Sequence, residues 1–446
     1  MSSSQVLLVF VVMAPGAVFA ALASLWLLGW VPSERALSRI TGMTFAACVL
    51  GLALMLRTLA TTHASSITLI IGNWFAVHEY RFPLVLVADH LSLPFLAMTV
   101  VLSGLIGQFS ATYLHRESGF FRFFLLLHLF AFGSLLAFAA GSFDLLIGGW
   151  ELVGITSVLL IAFFDQRPAP VENGLRVFGV YRACDIGLLL GVFALHNWAG
   201  NASFTAGMPQ LAPTQATVVC LFLLLGAAGK AAQIPFSGWL ARAMEGPTPS
   251  SAIFYGAISI HAGAYLLLRA QPLLAEARLA AIAVIVTGLA TAIYGTMTGR
   301  ASADAKTSLA FASLTQAGVI FVEIGFGWIS IAVAHVLGHA LVRTLQFLRA
   351  PSMLHDYHRM HSAIGGEVSP GRTEEDLLPE QVRLWLYRWA LDRGHLDTIL
   401  DRWFIHPLLQ ISRLFARLDG IGTTALPKRR NDTAISLRSP AEQGVE

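Results

Sequence analysis

A lysine set deep among apolar residues is where chemistry first becomes plausible in this sequence. Lys230 follows more than a dozen largely apolar residues. At about 1.5 Å of rise per residue it sits well inside a hydrocarbon layer roughly 30 Å thick. Charge at that depth normally marks a pathway, the plainer reading being a snorkelling or ion-paired structural lysine. Glu151, in GGWELVGITSVLLIAFF, lies at similar depth in another apolar run. A carboxylate there must be protonated or paired, and Lys230 on a neighbouring helix is its natural partner. Such a pair is either static, or it opens and closes and so changes the proton affinity of each member.

Other apolar runs carry charge as well. Arg182 and Asp185 stand three apart in VFGVYRACDIGLLLG, as an internal salt bridge or as part of a conduction path. His261 lies in the run after Lys230, and His335, His339 and Arg343 repeat every four residues in HVLGHALVR, a polar ladder down one helix face. Two histidines so spaced could ligate a metal, but no carboxylate completes an HExxH pattern, and a proton relay fits better. Lys306 opens its run and reads, on spacing alone, as a snorkelling anchor.

Eleven apolar runs must position these residues: about 6–30, 39–61, 90–113, 121–140, 142–164, 173–197, 214–236, 250–269, 279–298, 305–326 and 328–349. The first reads as a membrane helix rather than a cleaved signal, because MSSSQ lacks a basic segment. Pro235 removes a backbone donor five residues after Lys230, which predicts a discontinuous helix there. The alternating segment 64–88 predicts an extended hairpin over the second and third helices. Arg35, Arg39, Arg116, Arg122, Arg167, Arg176, Arg242, Arg300 and Lys306 fall in one set of connections and only Arg81, Arg269 and Arg278 in the other. That bias predicts an outside amino terminus and a cytoplasmic carboxyl terminus. After Ala350 the composition turns amphipathic. The sequence thus divides into a transmembrane domain, 1–350, an amphipathic surface tail, 351–420, that lies on the membrane or grips a partner, and a disordered end, 421–446.

The 446 residues are 56% hydrophobic and 12% charged, with a mean hydropathy of +0.67. This excludes an ordinary soluble globule and leaves no room for a separate catalytic domain. A net charge of +3 without a basic aromatic face argues against nucleic acid. Cys48, Cys184 and Cys220 stand singly, without disulfide or zinc spacing. No Walker loop, dinucleotide fingerprint, haem motif or metal quartet is present. The residues describe an all-α polytopic bundle with protonatable groups at mid-depth, a transporter rather than an enzyme.

GGWE at 148–151, YRACD at 181–185, GKAAQIPFSGWLARAMEGPTPSSA at 229–252 and DAKTSLAFASLTQAG at 304–318 resemble the antiporter-like subunits of respiratory complex I and of multisubunit sodium/proton antiporters. The resemblance implies a proton-translocating inverted-repeat fold, with Glu151 and Lys230 as paired charges of a half-channel, Lys306 as a connecting lysine, and Arg182 and Asp185 as flanking charges. Tyr255 stands where that family has a histidine, and His261 six residues on. The family's HxxxHAxxK pattern is met by His335 and His339 but ends in Arg343, which scarcely deprotonates. Hydrophobicity stops near residue 349, so the second repeat reads as incomplete.

That shortened form, with RAPSMLHDYHRMHSAIGG and LDTILDRWFIHPLLQISRLFARLDG, is similar to the membrane subunit of the DAB-type inorganic-carbon accumulation complex of bacteria. The resemblance implies a place in a bacterial inner membrane and a large cytoplasmic-side partner with a zinc site like that of β-type carbonic anhydrases. Protons passing through this chain would then drive one-way hydration of CO2 in the partner. The zinc would belong to the partner and this chain would hold no cofactor, His355, His358 and His361 reading as a solvated linker. The expected path is Glu151, Lys230, His261, Lys306, His335 and His339. The alternatives are a respiratory or antiporter subunit moving protons or sodium, and a non-conducting scaffold.

Overall fold

The computed structural model describes residues 1–77, 80–204, 210–302, 304–364 and 379–396, with isolated positions between 398 and 415. In hydrocarbon each backbone polar group needs an internal partner, so long apolar runs become helices. The chain forms α1 (Ser3–Leu27), α2 (Glu34–Thr62), a hairpin of β1 (Ser66–Val77) and β2 (Tyr80–Asp89), then α3 (Ser92–Tyr113), α4 (Phe120–Phe138), α5 (Phe143–Ile161), α6 (Pro168–Ala199) and α7 (Pro213–Lys230). Short pieces follow: α8 (Trp239–Arg242), α9 (Thr248–Ser251), α10 (Ser259–Arg269) and α11 (Gln271–Glu276). A π-helical turn, Ala252–Ala257, joins α9 to α10 in one crossing. Next come α12 (Arg278–Arg300), α13 (Ala305–Gly325), α14 (Ile329–Ile364) and α15 (Glu380–Leu391). Among the described residues, eleven helices are long and apolar enough to cross a membrane.

Side-chain contacts sort the connections to two ends of the bundle. At the arginine-rich end Glu34 accepts from His115 at 2.6 Å and from the Arg116 amide at 3.1 Å. Arg122 pairs with Asp165 at 2.7 Å there, and Tyr113 meets Thr248 at 3.1 Å. At the hairpin end the α4–α5 connection pairs with the edge of β2, the Val87 amide donating to the Ala139 carbonyl at 2.7 Å and Gly141 to Val85 at 2.8 Å. Small residues let helices approach closely within the bundle. A Cβ on Gly288 of α12 would stand 2.5 Å from the Gly318 carbonyl of α13.

Two expectations need revision. The hairpin rests on the third helix as expected, but with α1 and α5 in the place expected for the second, because the α4–α5 backbone bonds to β2 and draws it over α5. No helix boundary falls at Ala350: the backbone of α14 stays helical to Ile364, since Pro351 removes one donor and the turns on either side persist. The side chains of His355, His358 and His361, and all of 421–446, lie outside the described residues. Within the stretch read as an amphipathic tail, α15 packs against α12, where Trp389 meets Tyr294 edge-on at 6.0 Å. Contacts divide the chain into Met1–Leu400, which holds every element named here, and Asp401–Glu446.

One buried ion pair fastens the hairpin to the bundle. Arg269, at the end of α10, donates to both Asp89 oxygens at 2.6 and 3.0 Å. Burial would raise the Asp89 carboxyl, but Arg269 and the Ser92 amide hold it down at about 2. A carboxyl lowered on folding stabilises the fold above its unfolded value and loses that contribution as pH falls toward the folded one. Asp89→Asn, which strands a buried guanidinium, is expected to destabilise the detergent-solubilised protein by about 3 kcal/mol at neutral pH. Thermal unfolding checks this, and the gap from wild type should shrink between pH 4 and pH 2.

Candidate functional site

The last turn of α7 ends on Lys230, and the chain leaves the helix through Ala232, whose φ is +53°. The freed backbone groups find side-chain partners. Gln233 Nε2 donates to the Ala231 carbonyl at 2.9 Å, Trp239 Nε1 to the Gly229 carbonyl at 3.1 Å, and the Ile234 amide to Thr291 Oγ1 at 3.0 Å. The break is therefore a fixed feature, as the position of Pro235 predicts. Lys230 is 1% exposed. Its Nζ donates to the Trp150 carbonyl at 3.2 Å and lies 4.8 and 4.4 Å from the centres of the Trp150 and Tyr181 rings. Gly154 makes this seat possible, since a Cβ there would stand 2.9 Å from Nζ.

The direct partner of Glu151 is Arg182 and not Lys230. Arg182 Nη2 also donates to Asp185 Oδ2 at 2.7 Å, and Asp185 Oδ1 accepts from Trp150 Nε1 at 2.6 Å. Both contacts are made by Nη2, whose two N–H groups serve one carboxylate each, on a side chain that keeps its charge. Two acids and two bases thus meet around the helix break and balance in charge when all are ionised. The Arg182–Asp185 salt bridge is present as one of the two readings of that spacing.

A second cluster lies on α10, α13 and α14. The π-turn directs the Ile258 amide to the Ile253 carbonyl and leaves the His261 amide on Ile258, so the Ala257 carbonyl is open to the His261 ring. Nδ1 of His261 faces that carbonyl and must carry the proton, which makes its Nε2 an acceptor. His339 Nδ1 donates to it at 2.9 Å. His339 Nε2 is then a buried acceptor with no hydrogen-bond partner among the described residues. The His335 and His339 rings lie 6.5 Å apart. His335 bonds to Glu323 Oε1 at 2.8 Å and to Gln316 Oε1 at 2.9 Å.

The two clusters meet where α7 packs on α10, so closely that a Cβ on Gly263 would stand 2.5 Å from the Ala227 carbonyl. Ser259 faces the Tyr181 hydroxyl near this contact, while Gln233 Oε1 and Ser237 Oγ are buried without a hydrogen-bond partner among the described residues, the kind of atom that internal water satisfies. Lys306 belongs to neither cluster. It lines a cavity of about 430 Å³ at the arginine-rich end with Arg167, Glu245 and Asp304. Arg343 faces a groove with Arg300, Thr315 and Gln316. Among the described residues no group of three or more His, Cys, Asp or Glu could hold a metal ion.

Sequence reasoning missed Trp150, Tyr181, Gln316 and Glu323. Glu323 left the clearest signal, an acid in the apolar run VIFVEIGF. Trp150 and Tyr181 each precede a charged residue already singled out, so their neighbours were the only clue.

A broken membrane helix beside a balanced acid–base cluster is an arrangement in which charge can be held inside a membrane. The chain belongs to the NADH:quinone oxidoreductase/Mrp antiporter transmembrane family, whose pattern matches residues 140–365. Residues 74–124 match the complex I chain 5 N-terminus. NADH-quinone oxidoreductase subunit L of Mycobacterium tuberculosis is 35% identical over 275 residues, 60% of this chain and 43% of that one. Subunit L of Rhodobacter capsulatus is 31% identical over 352 residues, 74% of this chain and 49% of that one. The chain thus spans about half the length of the curated relatives it matches. In fold it is similar to a chain of the Mrp complex from Dietzia sp. DQ12-45-1b, with TM-score 0.65 and 24% identity over 76% of this chain and 37% of that one. It is also similar to one of the membrane-bound sulfane sulfur reductase, an archaeal respiratory complex, with TM-score 0.66 and 19% identity over 77% and 70%. It is a multi-pass membrane protein of antiporter-like fold.

Gly154→Ala tests the lysine seat without touching a charge. The added methyl displaces Nζ, and proton flux in proteoliposomes is expected to fall about tenfold, equivalent to roughly 1.4 kcal/mol, with little change in melting temperature. Unchanged flux would mean that the seat is not used.

Proposed function

We propose that this chain is a proton-conducting subunit of a multisubunit membrane complex of the NADH:quinone oxidoreductase/Mrp type. One observation carries the reading: Lys230 is enclosed at the break in α7, where it completes the charge balance of Glu151, Arg182 and Asp185. A lysine can lose its proton and an arginine scarcely can, so Lys230 is the mobile member and Arg182 the fixed one. Protons pass from this set to His261 and His339 through water held by the buried hydroxyl and amide oxygens between them. Lys306 serves as an entry group in its cavity at the arginine-rich end.

Assembly with a neighbour has its own support. The Glu151 and Arg182 side chains are 34% and 37% exposed at mid-depth, on a face with exposed Ile155, Leu159 and Ile186. Charge facing lipid there is costly, and a protein neighbour removes the cost. A second reading, that the complex takes up inorganic carbon with a zinc-bearing carbonic-anhydrase-like partner, rests on Arg343 in place of the family's lysine and on the tail resemblance. Under it, a bacterial inner membrane and a cytoplasmic carboxyl terminus follow.

The test uses the complex purified through a tag on this chain and reconstituted in vesicles. Lys230→Arg keeps the charge and is expected to abolish proton flux while assembly persists. Flux at the wild-type level in Lys230→Arg, or flux that requires sodium, would overturn the reading.

A further inference from the structure

The histidine row ends on an acid with no role so far. Glu323 lies two residues from the end of α13, with its Oε1 on His335 and its Oε2 buried without a hydrogen-bond partner among the described residues. The α13–α14 turn beside it belongs to the hairpin end and exposes Phe326 and Trp328, stacked 5.0 Å apart. Aromatic side chains of that kind sit at the membrane–water boundary. Glu323 is therefore within a helical turn of that boundary, whereas His261 and His339 lie deeper, about 1.5 Å per residue along their helices.

The hydrogen bonds give the row a direction. With the Gln316 oxygen facing Nε2, both His335 nitrogens donate and the ring is an imidazolium paired with the Glu323 carboxylate. Gln316 can present its NH2 group instead of its oxygen, which fits the neutral ring. The triad thus holds either charge state of His335. A static structural ion pair would need neither the amide nor a carboxylate with an oxygen left over.

We propose that Glu323, with His335 and Gln316, forms the proton-exchange site by which the histidine row communicates with the aqueous phase at the hairpin end. A proton arriving from the His339 side on Nε2 of the neutral ring makes the imidazolium, the Nδ1 proton then passes to Glu323 Oε1 and leaves from the carboxyl group to water, and rotation of the ring restores the starting tautomer. The inference rests on the proton-conducting reading above. It adds a residue that the resemblance does not assign.

Four measurements on the reconstituted complex decide it. Glu323→Gln is expected to lower proton flux at least tenfold, Glu323→Asp to recover most of it, and Lys230→Arg to abolish it. Dicyclohexylcarbodiimide, which reacts with protonated carboxyl groups in apolar surroundings, is expected to modify Glu323 in the unmutated complex, with flux lost in proportion to modification read by mass spectrometry. Full flux in Glu323→Gln with none in Lys230→Arg overturns the inference and leaves the broader reading standing, and full flux in both overturns the two together. Should Glu323→Gln fail to assemble, the carbodiimide result decides alone: absent modification, or modification with undiminished flux, overturns the proposal.

Discussion

The structure depends on Arg182 being shared between Glu151 and Asp185 within the apolar bundle. Each charge would be severely destabilised alone in such surroundings, and even a single ion pair seldom recovers its desolvation cost. With Arg182 Nη2 holding both carboxylates and the Trp150 indole satisfying a further oxygen, the acids are fixed and Lys230 completes the balance without a direct ion pair. An ammonium held by one carbonyl and two aromatic faces is easier to discharge than one locked to a carboxylate. On the proposed function, Arg182 thereby fixes charge and leaves Lys230 to move it.

Two interruptions of helical geometry supply the rest. The break after Lys230 removes the chain from the helix where a charged side chain needs room, and side chains of Gln233, Trp239 and Thr291 take up the exposed backbone groups. The π-turn before His261 opens one carbonyl and so fixes the tautomer of the ring that meets His339. Irregular helices frequently occur at functional sites because a regular helix leaves no backbone group free to orient a side chain. Here each irregularity stands within a few residues of a protonatable group.

Much of the fold was legible in the sequence because hydrocarbon imposes a simple rule: an apolar run of sufficient length must be a helix. The eleven crossings, the hairpin and the discontinuity at Pro235 followed from run length, alternation and one missing donor. Which charges would touch did not follow. Depth placed Glu151 and Lys230 at one level, but only packing shows that Glu151 takes Arg182 as its direct partner. Glu323 went unweighed because it lies near a helix end, where an acid ordinarily faces water. The continuation of α14 past Ala350 escaped because hydrophobicity stops near residue 349, whereas helical backbone bonding does not need an apolar sequence to continue.

On the proposed function Lys230 gives up and regains its proton. Solid-state nitrogen NMR of the lysine-labelled complex, with Lys230 assigned by comparison with Lys230→Arg, reads this directly. The Lys230 side chain is expected to appear both as ammonium and as neutral amine across the states sampled under an imposed proton gradient. A side chain that remains ammonium in every state while flux continues would contradict it.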